Sequence, residues 1–315
     1  MRLIRIDGNE IRPGEQKHLN LLVARLPSGT EITMPIHVYR SKQPGPVILL
    51  SGGMHGDEVN GIEIVRRILG ENLPAKIRCG SIIAMPIINV YGFINFARYV
   101  PDGKDINRSF PGREDGSLAS MVAHLMTTKI LPEIDFGLDF HTGGASRTNF
   151  PQIRYDPEDE QAEKIARAFA APFILHSKVI DGSFRETARN MGKTVVVFEG
   201  GETLRIDPKT VDEGLAGVKR VLRHFDMIGS APKARESKFF KNSTWVRAEA
   251  SGLFRHKKSW GAKVKEGKTI GYISSPTNEY SIKVKSPVDG YIIGHNNFPL
   301  VHKGDALFHI GYSED

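Results

Sequence analysis

Two short stretches carry residue types able to hold a metal ion. His55-Gly56-Asp57-Glu58 is the only His-x-x-Glu in the chain, and it follows an apolar run, Pro46-Val47-Ile48-Leu49-Leu50, that stops at Ser51-Gly52-Gly53. An imidazole and a carboxylate three apart on the opening turn of a helix point to one side and can share one ion. His141 closes a second apolar run, Phe136-Gly137-Leu138-Asp139-Phe140. Alone it also fits a satisfied core histidine. With His55 and Glu58 it makes two imidazoles and one carboxylate, a set that leaves a fourth position open, as catalytic rather than structural zinc sites do. Zinc in such a site lets water ionise near neutral pH and attack a carbonyl.

A third run, Thr194-Val195-Val196-Val197-Phe198, delivers Glu199, a carboxylate placed to move a proton between water and a leaving nitrogen. Glu202 competes for that role and reads better as a loop residue. Asp139, two before His141, either orients a ligand imidazole or turns the backbone. Residues 98–112 form a turn-rich connection with Arg98, Lys104, Asn107 and Arg108. Arginine suits two-pronged capture of a carboxylate, and a fixed cation near a metal also stabilises a developing oxyanion.

The elements that must position these groups follow a repeated pattern of buried strand, glycine turn and helix. Helical spacing covers 57–69, with further helices near 117–130, 157–171 and 209–224, and strands at 81–88, 136–140 and 194–198. An opening hairpin fills 15–40 around Pro27-Ser28-Gly29-Thr30. The expected fold is a mixed α/β sheet flanked by helices over residues 1–230, with its ligand crevice at the carboxyl ends of the strands. Residues 231–242 read as a polar connector. Beyond them, short strands cut by Gly and Ser-Pro make a small all-β unit, so the second domain spans 231–315.

The chain has 315 residues, a formal charge of +7 and one cysteine. The balance of apolar and charged residues excludes disordered, collagen-like and disulfide-scaffold classes. Lone Cys79 supplies no disulfide or cysteine-zinc cluster. No apolar run approaches a membrane span, and the first residues do not read as a signal peptide, so a cytoplasmic protein without membrane contact is expected. The charge is local: residues 231–315 carry 14 Lys+Arg against 8 Asp+Glu, leaving 1–230 nearly neutral. A basic strand face such as Lys283 and Lys285 is explained by solvation, so nucleic acid is not an expected partner. An oligomer is compatible with the sequence.

Taken in order, His55-Gly56-Asp57-Glu58, Asp105-Ile106-Asn107-Arg108, Asp139-Phe140-His141-Thr142-Gly143-Gly144 and Val197-Phe198-Glu199 resemble the motif set of the succinylglutamate desuccinylase/aspartoacylase family. The resemblance covers most of residues 46–203. It implies a zinc carboxypeptidase-like fold, one Zn2+ on His55, Glu58 and His141, Glu199 as general base, and Asn107 with Arg108 on the substrate carboxylate. Arg98 resembles the arginine that polarises the scissile carbonyl, although its spacing from Asn107-Arg108 departs from that of relatives. Arg147 and Arg154 match no motif and read equally as contacts to an acidic substrate group or as solvent-facing. The region from Ser251-Gly252 onward resembles the barrel-sandwich, lipoyl-like type. Its segment Ser274-Ser275-Pro276-Thr277-Asn278-Glu279-Tyr280 offers no lysine for a swinging arm, so a structural or site-lining role is expected.

These implications predict a zinc hydrolase that removes the acyl group of an N-acyl amino acid or similar small carboxylated amide. A peptide-directed metallocarboxypeptidase is the nearest alternative and would need an open cleft. A non-enzymatic binder of anions or nucleic acid is the remote one.

Overall fold

The computed structural model describes residues 2–144 and 146–313. Its first part contains β1 (Ile4–Ile6), β2 (Asn9–Ile11), β3 (Gln16–Arg25), β4 (Glu31–Arg40), β5 (Val47–Gly52), α1 (Val59–Gly70), β6 (Ser81–Met85) and α2 (Val90–Ile94). Next come α3 (Leu118–Leu125), β7 (Phe136–Gly143), β8 (Arg147–Tyr155), α4 (Glu160–Phe169), β9 (Phe173–His176), α5 (Phe184–Asn190), β10 (Thr194–Glu202) and α6 (Pro208–His224). The remainder is all strand: β11 (Lys238–Phe240), β12 (Asn242–Arg247), β13 (Gly252–His256), β14 (Lys263–Val264) and β15 (Thr269–Ser274). It ends with β16 (Ser281–Lys285), β17 (Gly290–Asn296), β18 (Leu300–Val301) and β19 (Ala306–Tyr312).

The centre of the main sheet is the parallel set β6-β5-β7-β10, extended by the antiparallel hairpin β4-β3 on one side and by antiparallel β8 on the other. Parallel strands covered on both faces need apolar residues at every position, and β5 is buried throughout. Alternation sorts these side chains into two layers. Leu49, Ile83 and Val195 face a core closed by α3 and α5, whereas Ile48, Leu50, Val196 and Phe198 face one closed by α1, α4 and α6. The capping residues stop the helices from sliding: Ser117, Asp159, Ser183 and Asp207 each accept a backbone N–H in the first turn of α3, α4, α5 and α6.

The expected helices and opening hairpin lie where the periodicity placed them, with ends moved by a few residues. Besides the short β1–β2 pair, two strands of the main sheet in this part went unread. In β8 the polar residues Asn149, Gln152 and Arg154 interrupt any apolar pattern, and β9 is only four residues long. The sheet forks at β8: Arg147, Thr148 and Asn149 pair with β17, while residues from Gln152 to Tyr155 pair with β9. Pro151 stands between the halves, where a residue without an N–H leaves no ladder donor unmet.

The expected connector 231–242 is also partly ordered as strand. Lys238–Phe240 forms β11 beside β9, burying Phe240 against Phe173 and Ile293. The C-terminal strands have their own core around Phe254, Ile273, Ile292 and Phe308. They are nevertheless joined to the α/β part through β17–β8 and β11–β9 pairing.

Candidate active site

Three strand ends converge on one cavity. After β5 the chain makes a tight turn against α2, where a Cβ on Gly56 would lie 1.9 Å from the Gly92 carbonyl carbon, so only glycine fits. Both His55 and Glu58 were expected on the first helical turn. Instead α1 begins at Val59, with Glu58 at the cap position (φ −89°, ψ 68°), and its N–H donates to the His55 carbonyl at 3.2 Å. A turn, rather than a helix face, therefore brings the two side chains together.

Glu58 sits between two imidazoles. Its Oε1 is 2.7 Å from His55 Nδ1 and its Oε2 is 2.9 Å from His141 Nδ1, with all three side chains buried. The opposite ring nitrogens are held by carboxylates: His55 Nε2 is 3.1 Å from Asp105 Oδ1, and His141 Nε2 is 2.8 Å from Asp139 Oδ2. Asp139 is fixed in turn by a 2.8 Å hydrogen bond from the Ser51 hydroxyl, so it orients His141 rather than merely turning the backbone.

Among the described residues, His55, Glu58 and His141 are the group able to hold a metal, with one donor atom from each lying within 4.8 Å of the others. His55 Nδ1 makes no hydrogen bond although it is buried and close to Glu58. An orphaned ring nitrogen, a second Nδ1 and a carboxylate directed to one point, with both Nε2 atoms held by carboxylates, fit a divalent ion of the zinc type. The electrostatics agree. Burial opposes charge on either imidazole, yet Glu58 and Asp105 raise His55 above its ordinary value, and Asp139 and Glu58 raise His141 well above it. Burial likewise opposes the Glu58 charge, but the two imidazoles pull it well below the carboxylate range. The site is built around negative charge that a cation neutralises.

Glu199 stands beside this cluster because β10 lies parallel to β7 with Glu199 opposite His141. Its Oε2 accepts a 2.6 Å hydrogen bond from Asn149 Nδ2 and lies 3.1 Å from the Arg154 guanidinium. Glu202 lies outside the cavity lining and pairs with Arg205 at 3.5 Å.

The cations divide by what they touch. Arg98 donates to Glu58 Oε1 at 3.0 Å and grips Asp105 Oδ2 through Nε and Nη2. Asn107 accepts the Phe184 N–H on its Oδ1 at 2.9 Å, and its amide Nδ2 donates to none of the described residues. Arg108 and Arg147 both line the cavity, and the Arg147 guanidinium lies over the Trp245 ring, 5.4 Å from its centroid. Arg154 lines the same cavity but is engaged with Glu199.

The cavity has a volume of about 410 Å³ and includes residues that sequence reasoning did not single out. Asn149, Lys178, Arg185 and Trp245 are the chief ones. Arg185 donates to the Ser177 carbonyl, and burial together with nearby Arg154 pushes its guanidinium down to about 10. None of the four carried a local signal. Asn149 lies on the unread strand β8, and Trp245 lies just past the supposed connector.

A mixed sheet with a parallel centre thus brings two imidazoles, a shared carboxylate and a second carboxylate to one small cavity able to hold a metal ion. The model of the succinylglutamate desuccinylase/aspartoacylase catalytic domain matches residues 44–225, and the chain belongs to that family. It is 28% identical over 292 residues to the N-alpha-acetyl-L-2,4-diaminobutyric acid deacetylase of Halomonas elongata, covering 88% of this chain and 84% of the relative. A succinylglutamate desuccinylase/aspartoacylase structure from Rhodobacter sphaeroides superposes with a TM-score of 0.85 at 27% identity, over 96% of this chain and 97% of that one. The product-bound ectoine utilization protein EutE (DoeB) from Ruegeria pomeroyi shares the fold, with a TM-score of 0.87 at 24% identity over 98% and 97% of the two chains. Among the described residues, no helix is long and apolar enough to cross a membrane.

Proposed function

We propose that this protein is a zinc-dependent hydrolase that cleaves the amide bond of a small N-acyl amino acid. The observation that carries the proposal is the Glu58 carboxylate held between His55 Nδ1 and His141 Nδ1, with Glu199 in register beside His141. An ion held by His55, Glu58 and His141 supplies Lewis acidity towards a carbonyl oxygen and towards water. The chain's own residues do the rest. Asn107 Nδ2 and the Arg108 guanidinium take the substrate carboxylate and fix where the amide lies. The Glu199 carboxylate accepts a proton from the attacking water and returns it to the departing nitrogen. Arg98, beside Glu58, faces the oxygen that gains charge, and Arg147 adds positive charge for an acidic substrate.

Membership of a family whose relatives include a deacetylase of an N-acetyl amino acid supports this reading. The cavity volume suits a small molecule rather than a peptide, and Trp245 narrows it from the C-terminal strands. We accordingly assign catalysis to residues 1–230 and wall formation to residues 231–315. The test is metal analysis joined to a deacylation screen: zinc-loaded protein should release amino acid from an N-acyl amino acid panel and leave a peptide panel intact. Stoichiometric zinc with turnover of peptides alone would replace this reading with the carboxypeptidase one.

A further inference from the structure

The cavity has two unlike walls. One comes from residues 99–108 and 177–185 and carries the charged and amide groups of Asn107, Arg108, Lys178 and Arg185, with Tyr99, Ile180 and Phe184 among them. The other presents an aromatic side chain, Trp245 of β12, which remains 39% exposed.

That indole is held rigidly. His309 of β19 is its register partner and stacks on it with ring centroids 4.3 Å apart and planes 4° from parallel. Arg147 lies over the same ring system. His309 is only 6% exposed, and burial together with the charges of Arg154 and Arg147 holds its imidazole neutral, pushed down to about 3. Gly294 of β17 lies opposite both His309 and Asn149, and a Cβ there would come within 2.3 Å of Asn149 Oδ1. Strands β19, β17 and β8 are thus closely packed behind the stack. A fixed aromatic in a small polar pocket offers apolar contact area and a hard boundary.

We propose that Trp245 is a specificity-determining residue that limits the length of the acyl group. The inference rests on the amide-hydrolase reading above. The carboxylate is drawn to the donors of Asn107 and Arg108, and the amide lies between the His-Glu-His cluster and Glu199. The part of the substrate left to meet an apolar ring is then the acyl chain. A chain that ends short of the indole is accepted, whereas each added methylene must push against a ring backed by the buried His309. One methylene that does not fit changes discrimination by about tenfold or more.

The experiment uses zinc-loaded full-length protein and the N-acetyl, N-butanoyl and N-hexanoyl forms of one amino acid. The parent protein should lose kcat/KM steeply with acyl length. Trp245→Ala should narrow the acetyl-to-hexanoyl ratio about tenfold or more, and Trp245→Leu should fall between. An unchanged ratio in both variants, with the acetyl substrate still turned over, would overturn the role of Trp245 alone. Failure of the parent to cleave any acyl amino acid would overturn the hydrolase reading instead. A second readout does not depend on the Trp245 variants folding: the chain has two tryptophans, so Trp260→Phe leaves Trp245 as the sole tryptophan. Saturating N-butanoyl amino acid, whose chain reaches the ring, should change its fluorescence more than the N-acetyl form does, and identical emission with both bound would overturn the proposal.

Discussion

Asn149 Nδ2 donates to Glu199 Oε2 at 2.6 Å, and Asn149 lies on the strand that joins the catalytic sheet to the C-terminal strands. With Arg154 on the same oxygen, one oxygen of a carboxylate that lines the cavity is held from two sides. The proposed base is therefore oriented by a residue that pairs with β17. A contact between units becomes a contact within the reaction.

Removing the base should leave the metal in place. We expect Glu199→Gln to lower kcat about 10²- to 10⁴-fold, the usual worth of a positioned acid–base group, with zinc content unchanged by metal analysis. Loss of zinc in that variant would argue that Glu199 is a ligand.

Asn149→Leu preserves approximate size and deletes the hydrogen bond to Glu199. Hydrogen bonds to charged groups are worth about 1.5–3 kcal/mol, so kcat should drop roughly tenfold or more while KM changes little. Gly294→Ala should act in the same direction, because its added Cβ would meet Asn149 Oδ1 at 2.3 Å. Equal losses in kcat and in substrate affinity for both variants would point to a general collapse of the cavity.

Asp139 orients His141 from behind through a 2.8 Å contact. Substituting partners of this type costs about 10–100-fold in metal affinity. Competition with a chelator should show that loss in Asp139→Ala, and a milder one in Ser51→Ala, whose hydroxyl only steadies Asp139. Unaltered affinity in Asp139→Ala would remove its orienting role.

The buried His309 should make stability depend on acid. Its folded value lies at about 3 against an ordinary 6.5, from burial first and then the charges of Arg154 and Arg147. Above pH 6.5 both folded and unfolded chains hold it neutral. As pH falls from 6.5 towards 3, the unfolded chain takes up a proton that the folded one refuses, and stability is lost. Between pH 7 and pH 5 the urea midpoint of metal-free protein should therefore fall relative to that of His309→Phe, because the opposite contributions of His55 and His141 are common to both proteins. Parallel slopes for the two proteins would rule His309 out as a source.

The metal cluster was legible because its signals are local. His55, Glu58, His141 and Glu199 each follow an apolar strand, and open α/β sheets place strand ends at one crevice. The register between β7 and β10 then sets Glu199 beside His141. The helix geometry assigned to His55 and Glu58 was wrong in detail, since spacing of three is served equally by a turn.

What stayed illegible depends on distant pairing. Nothing around Asn149 or Arg154 in the sequence says that both meet the same oxygen of Glu199. Residues 238–240 look polar at their start, yet Phe240 finds a buried place against a strand formed more than sixty positions earlier. Trp245 reads as one aromatic in a basic stretch until β12 is laid beside β19.

The fork at β8 also bears on how the protein is made. Domains tend to fold as the chain leaves the ribosome, amino-terminal parts first. The parallel strands, the candidate metal ligands and Glu199 all emerge before β17 exists to take up the open half of β8. A nascent chain can assemble its metal ligands while Asn149 still lacks its β17 neighbour and Trp245 is not yet made. Hydrolytic competence would then be acquired in two stages during synthesis, metal capture preceding closure of the pocket.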